Sequence, residues 1–405
     1  MTIYRALSED ERDRFHEYVS YAFTPTNGPP AYEPAEHDRP RALLGDRRGL
    51  FADGDGDPLC VCKHYWFDVH VRGDEHSMAG LASVASPPEH RRSGYVRDLL
   101  VASLEEYRDR DAAFAALWPF RHRFYRQYGW ATANRQLRVE CDPADLSFAR
   151  TRLEAETIEN GRYRRLEADD YETLVPVYER HAARYDLSID RDADWWRYRV
   201  FENWETDPFV AVWERDGEPA GYLEYTIDGD WGDRTMDVAE LAYTDVEAFL
   251  ALLSFCRDHD SQVQTVRLRL PTDTPLFDVS SDPDELETER EGGPMIRIVD
   301  VSRALSALSY PTVDASVTLT VDDPLAAWND GAFELSVESG DGTCERVPVP
   351  DSNIALDVGT LSQLAVGARS ARAVERAGRL EVSPSALETL KTLFPERAVY
   401  LRDGF

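Results

Sequence analysis

Lysine is almost missing from this chain. Lys63 and Lys391 are the only two, so nearly all of the 45 basic residues are arginine, and they face 76 acidic ones for a formal net charge of −31. A surface so short of positive charge excludes broad neutralisation of a phosphate backbone, and no nucleic-acid partner is expected. The carboxylate excess reads as a halophilic coat, suited to a salt-rich cytosol where screening limits mutual repulsion. Long apolar runs are missing too: no stretch reaches the roughly 18 residues of a membrane span, and the amino end lacks the charged and apolar regions of a secretory signal. A cytoplasmic protein with no membrane partner is expected. The five cysteines, Cys60, Cys62, Cys141, Cys256 and Cys344, show no paired CxxC spacing. They read as core thiols in a reducing compartment, and no metal is expected.

With 405 residues and 42% hydrophobic content, the chain can build two or three cores. From Tyr4 it reads YRALSEDERDRFHEYVSYAF: a short strand, a capping box of Ser8 and Glu11, and a helix burying Phe15, Val19 and Phe23. From Tyr163, YRRLEADDYETLVPVYERHAARY repeats that layout. LFADGDGDPLCVCKHYWF (50–67) recurs in outline as VAVWERDGEPAGYLEYTI (210–227), a hairpin with an Asp/Gly-rich turn. Two cues at nearly one offset point to tandem copies of an α/β domain, with the boundary between Asp142 and Asn160. A third segment starts near Pro294 with the strand MIRIVDV, the helix SRALSAL, two alternating strands and the helix GTLSQLAVGA. The acidic run SSDPDELETEREGG (280–293) reads as a surface loop or linker.

The most informative stretch is MAGLASVASPPEHRRSGYVRDLL (78–100), a strand ended by Pro87 and Pro88, a turn, and a helix with Val96, Leu99, Leu100 and Leu104 inward. A helix starting there offers unpaired N–H groups and the positive end of its dipole, and Gly94 admits a close ligand. Arg91 and Arg92 add charge-assisted donors for phosphate oxygens. The alternative is a solvated helix start in which Glu89, Arg91 and Arg92 make surface ion pairs of little worth. In the second copy the equivalent turn, AELAYTDVEAFL, carries Asp245 and Glu247 and neither arginine nor glycine. That start caps itself with carboxylates and would repel a phosphate.

This turn resembles the acetyl-CoA-binding motif of the GNAT acyltransferase superfamily, [RQ]xxGx[GA], as Arg91, Arg92, Ser93, Gly94, Tyr95 and Val96, the last in place of Gly or Ala. Over essentially its whole length the chain resembles the enhanced intracellular survival (Eis) family of N-acetyltransferases. That family joins an active GNAT domain, a degenerate one and a sterol-carrier-protein-like domain. The resemblance implies an α/β (α+β) fold with mixed central sheets flanked by helices. Residues 1–148 would bind acetyl-CoA and catalyse, 149–293 would be the degenerate copy, and 294–405 the sterol-carrier-like domain.

Site roles follow from the same resemblance. In WPFRHRFYRQYGW (118–130), Phe124, Tyr125, Tyr128, Gly129 and Trp130 match a family signature, with Tyr125 as the general acid for the departing thiolate. The other three aromatics read as core. The terminal carboxylate of Phe405 takes the general-base role, and the main chain of Val84, Ala85 and Ser86 pairs with pantetheine. Acceptor-pocket candidates are Phe23, Tyr32 and Asp403. The implied reaction is acetyl transfer to a primary amine of a small molecule or peptide, in a homo-oligomer, by resemblance a hexamer. The alternative is a non-catalytic lipid-binding or assembly protein on a degenerate scaffold.

Two other patterns are set aside. Asp53, Asp55 and Asp57 imitate a calcium loop, but Pro58 stands where glycine is needed. His64 and His70 on KHYWFDVHV read as exposed strand residues, without a third nearby ligand.

Overall fold

The computed structural model describes residues 2–53, 56–155, 161–348 and 354–405. The first six strands are Ile3–Ala6 (β1), Asp46–Phe51 (β2), Cys60–Val71 (β3), Asp74–Ala85 (β4), Phe114–Leu117 (β5) and Ala131–Thr132 (β6). Then follow Arg135–Cys141 (β7), Gly161–Leu166 (β8), Phe209–Arg215 (β9), Glu218–Asp228 (β10), Thr235–Tyr243 (β11), Thr265–Pro271 (β12), Glu287–Gly292 (β13) and Met295–Ile298 (β14). The last are Ala315–Asp322 (β15), Gly331–Glu338 (β16), Asp341–Val347 (β17), Ile354–Asp357 (β18) and Leu380–Val382 (β19).

Two compact units result. One contains Met1–Asn134, Asp186–Asp190 and Pro294–Phe405; the other contains Arg135–Tyr185 and Arg191–Gly293. The tandem repeat is visible in strand order. The first sheet runs β1-β2-β3-β4-β5-β14-β6 and the second runs β13-β7-β12-β11-β10-β9-β8, so the five strands of each copy sit in the same sequence. In each, a single parallel pair, β4 with β5 and β11 with β12, is set among antiparallel neighbours.

In the first sheet, β3 and β4 form a long hairpin closed by Arg72 (φ 57°) and Gly73 (φ 94°), the two left-handed residues that a tight hairpin turn needs. Both sheet faces are covered. Cys60, Cys62, Ala79 and Leu81 pack with Leu99, Leu100 and Leu104 of the helix Tyr95–Asp109. On the other face, Phe15 and Tyr18 of the helix Arg12–Phe23 meet Val61 and Ala85. Ser8 and Glu11 form the expected capping box. Phe23, expected inside, is 56% exposed at the last residue of the helix, where no core residue covers it.

The third sheet, β17-β16-β15-β18-β19, belongs to the first unit, and its helix Val358–Ala365 is buried along its whole length. Two further segments depart from expectation. The acidic run before Pro294 is not all loop: β13 is an edge strand on β7, where Arg138 faces Glu289 and Glu291 and offsets their charge. The terminal AVYLRDGF is not a regular strand either. It makes an isolated parallel bridge, Asp186 with Val399, and is otherwise held by individual contacts.

Candidate active site

The parallel pairing of β4 with β5 runs from Met78 and Phe114 to Leu81 and Leu117 and stops there, although β4 continues to Ala85. Beside it, the β3–β4 register shifts between Val61 and Lys63, and Ser83 takes a left-handed φ of 52°. A bulge with a left-handed residue bends the strand it sits in. Val84 and Ala85 therefore lie where the two parallel strands have parted, with no β5 partner for their main chain. Ser86 follows, its hydroxyl donating to the Leu59 carbonyl at 3.2 Å.

Arg92 (φ 60°) and Gly94 (φ 87°) are both left-handed and set the turn that starts the next helix. Gly94 occupies the N-cap position and no side chain caps the helix, so its first N–H groups stay open. Arg91 to Gly94 are all exposed. Arg91 Nε donates to the Ser86 carbonyl at 3.0 Å and its guanidinium lies 5.9 Å from the Tyr21 ring. Among the described residues neither Arg91 nor Arg92 has a carboxylate within ion-pair distance, and the space where Gly94 would carry a Cβ is open. In the second copy, Asp245 accepts from the Ala248 N–H at 2.9 Å and is paired with Arg215 at 2.7 Å, while Glu247 meets the same arginine at 2.9 Å. One helix start is open and cationic; its twin is closed by its own carboxylate.

Tyr125 lies in the short helix His122–Arg126 after β5 and is 4% exposed. Its ring meets Phe120, Phe124 and Trp130 edge-on, within the core cluster on the face of the Tyr95–Asp109 helix. Burial pushes its phenol above the ordinary value. The turn that follows is fixed by a residue that carried no signal in the sequence. Arg297, on β14, is fully buried, donates through Nη1 to the Tyr128 carbonyl at 2.5 Å and through Nη2 to both carboxylate oxygens of Asp323 at 2.5 and 2.6 Å. Asp323 also accepts from the Leu325 and Ala326 N–H groups.

The carboxyl-terminal tail reaches the first sheet on its other face. Tyr65 and Phe67, whose rings stand 5.9 and 5.0 Å from that of Phe405, alternate along β3 with the residues facing the Tyr95–Asp109 helix. Gly80 makes room for the ring: a Cβ there would lie 2.9 Å from Phe405 and 2.7 Å from Phe67. Upstream, the Leu401 N–H donates to Asn134 Oδ1 at 3.0 Å, the Tyr400 N–H to the Asp186 carbonyl at 3.0 Å, and Trp118 Nε1–H to the Asp403 carbonyl at 2.8 Å. Asp403 itself is buried, with its carboxylate 3.3 Å from Arg402.

Of the other acceptor candidates, Phe23 is exposed and Tyr32 donates to Asp38 at 2.9 Å, its ring beside the packed pair of His16 and His37. His64 is wholly buried, not exposed, because it faces the helix side of β3. There its Nδ1 stands 3.5 Å from Glu106, while Nε2 meets Cys62 Sγ at 3.3 Å and Ser103 Oγ at 3.2 Å. The array imitates a nucleophilic triad, but burial pushes the Cys62 thiol up to about 12 and no thiolate forms at neutral pH. His70 is half-buried and hydrogen-bonds Asp190 at 3.1 Å. Asp55 lies outside the described residues, and among those described no group of three ligating side chains could hold a metal. Nor is any described helix long and apolar enough to cross a membrane.

Comparison with known proteins agrees with this fold. Models described as an acetyltransferase (GNAT) domain match residues 3–133 and 187–298, and one described as a sterol carrier protein domain matches 301–402. An uncharacterised N-acetyltransferase of Streptomyces avermitilis is 27% identical, over 87% of this chain and 88% of that one. The N-acetyltransferase Eis of Mycobacterium tuberculosis is 26% identical, over 76% and 75%. The crystal structure of Eis1 from Mycobacterium abscessus superposes over 100% of both chains with a TM-score of 0.78 at 25% identity. Two GNAT domains with a parted strand pair and an open helix start make this protein an acetyltransferase. Along its length it is similar to the Eis-like family of GNAT N-acetyltransferases.

Proposed function

We propose that the first GNAT domain transfers acetyl from acetyl-CoA to a primary amine by direct attack on the thioester. The observation that carries this reading is the contrast between the two helix starts: Arg91 and Arg92 free of carboxylates beside an uncapped Gly94, against Asp245 closing its own helix. Arg91, Arg92 and the N–H groups of Ser93, Gly94 and Tyr95 would hold the pyrophosphate. The main chain of Val84, Ala85 and Ser86, where β4 leaves β5, would pair with pantetheine and point the thioester into the gap.

In the reaction the amine nitrogen bonds to the acetyl carbon as the carbon–sulfur bond breaks. The Phe405 carboxylate accepts the proton that the nitrogen sheds, and Tyr125 donates one to the departing sulfur. Burial suits Tyr125 to that role, since a raised phenol pKa keeps the proton in place at neutral pH. The acceptor would be a small-molecule or peptide amine entering beside Phe23, Tyr32 and Asp403, in a homo-oligomer.

Calorimetric titration with CoA tests the cofactor half. We expect one site per chain, weakened about a hundredfold when Arg91 and Arg92 both become alanine, and less salt-sensitive in that variant. Two equal sites, or unaltered affinity, would refute it. Deleting Phe405 tests the other half: turnover should be nearly abolished while CoA affinity stays.

A further inference from the structure

The base proposed above sits on residue 405, and a carboxylate misplaced by about 1 Å costs on the order of a hundredfold in rate. Something must hold it. The tail is pinned at Tyr400 and Leu401, by the Asp186 carbonyl and Asn134, but four residues lie between Leu401 and the end. Within that span the indole N–H of Trp118 holds the Asp403 carbonyl at 2.8 Å, and the Phe405 ring rests in the hollow left by Gly80.

Trp118 is the residue immediately after β5 and Gly80 lies on β4, so both contacts come from the two strands that part to form the cofactor gap. The lips of the gap thus also register the tail. A hydrogen bond to a main-chain carbonyl two residues from the carboxylate sets the direction of the last peptide units and leaves the carboxylate oxygens for the reaction. The hollow matters equally, because any side chain at position 80 would meet both Phe405 and Phe67.

We propose that Trp118 is a positioning residue for the Phe405 carboxylate, with Gly80 shaping its seat; this rests on the reading of that carboxylate as general base. Trp118→Phe keeps the ring and removes the donor. Its kcat should fall about ten- to hundredfold while CoA affinity and thermal midpoint stay at wild-type values. Its rate should also climb with pH through the range where the wild-type rate is level, since solvent must then deprotonate the amine. In a chain lacking Phe405, the same substitution should change nothing further, because the group it positions is gone.

The outcomes separate the two ideas. If deleting Phe405 leaves kcat unchanged, the carboxylate reading fails. If that deletion abolishes turnover while Trp118→Phe retains wild-type kcat and pH profile, the positioning role fails and the reading stands. An additive loss in the doubly altered chain also overturns it. Should Trp118→Phe fail to fold, Gly80→Ala carries the test, and wild-type kcat in that variant counts against the proposal.

Discussion

The guanidinium of Arg297 occupies the space in which Gly129 would carry a side chain: a Cβ there would stand 1.8 Å from Nη1 and 2.6 Å from Val358 Cγ1. Gly129 also has a φ of 88°, so both backbone and space demand glycine. Gly129→Ala is expected to cost about 3 kcal/mol or more, read as a lower denaturant midpoint with an unchanged slope. A loss under about 0.5 kcal/mol would mean that Arg297 moves freely, against its buried pair with Asp323.

Tyr125→Phe removes one hydroxyl and keeps the ring that packs against Phe124 and Trp130. Turnover should drop about 10²- to 10⁴-fold with CoA affinity intact. Because burial raises this phenol's pKa, the acid form persists through neutral and mildly alkaline pH, and the wild-type rate should show no alkaline fall that the variant lacks. Such a fall would assign the titration to Tyr125 and contradict its buried setting.

Glu106 accepts from Tyr4 at 2.7 Å and from Arg48 at 2.6 and 2.9 Å. Burial alone would raise its pKa; the close approach of His64 and the hydrogen bonds from Arg48 and Tyr4 outweigh that and hold it well below the usual 4.5. A carboxylate lowered on folding stabilises the fold above its unfolded value, and that share is lost as pH falls toward the folded one. Glu106→Gln should therefore lose about 3 kcal/mol at pH 7, and the gap to wild type should narrow steadily below about pH 4.5 in acid unfolding curves. A gap constant with pH would place the effect in packing alone.

Arg72 makes four contacts to main-chain carbonyls: Nε to Ala365 at 2.8 Å, Nη1 to Leu393 at 3.0 Å and Ser309 at 3.3 Å, and Nη2 to Leu364 at 3.3 Å. Three of these carbonyls end the helices Val358–Ala365 and Pro384–Leu393, where a cation is favoured. Burial lowers its pKa to about 10, so it stays charged at neutral pH. Arg72→Ala should destabilise by about 3 kcal/mol. Lysine, a single point donor, should recover less than half of that, as judged by chemical denaturation.

Much of this was legible in advance, because it depended on local patterns. The paired YR-strand and capped-helix openings, the Asp/Gly hairpins and the arginine turn are short-range signals, and they located the copies and the open helix start. What stayed hidden depended on partners distant in the chain. Arg297 reads as one charge in an apolar strand, and only the fold brings Asp323 and Gly129 to it. His64 sits on a strand buried on both faces, where alternation cannot tell inside from outside. Gly80 looks like a small residue in a strand, and the ring that needs it lies at the far end of the chain. The acidic segment before Pro294 reads as loop because its carboxylates are offset by Arg138 on β7, a pairing that no local rule anticipates.

The insertion of β14 between β5 and β6 has a bearing on biosynthesis. While the ribosome is still producing the middle of the polypeptide, the amino-terminal sheet has two raw edges whose mate has not been translated. Such edges invite pairing with neighbouring nascent chains. Expression of the amino-terminal 134 residues alone would leave that vulnerability permanent, so the isolated fragment should precipitate where the whole chain does not.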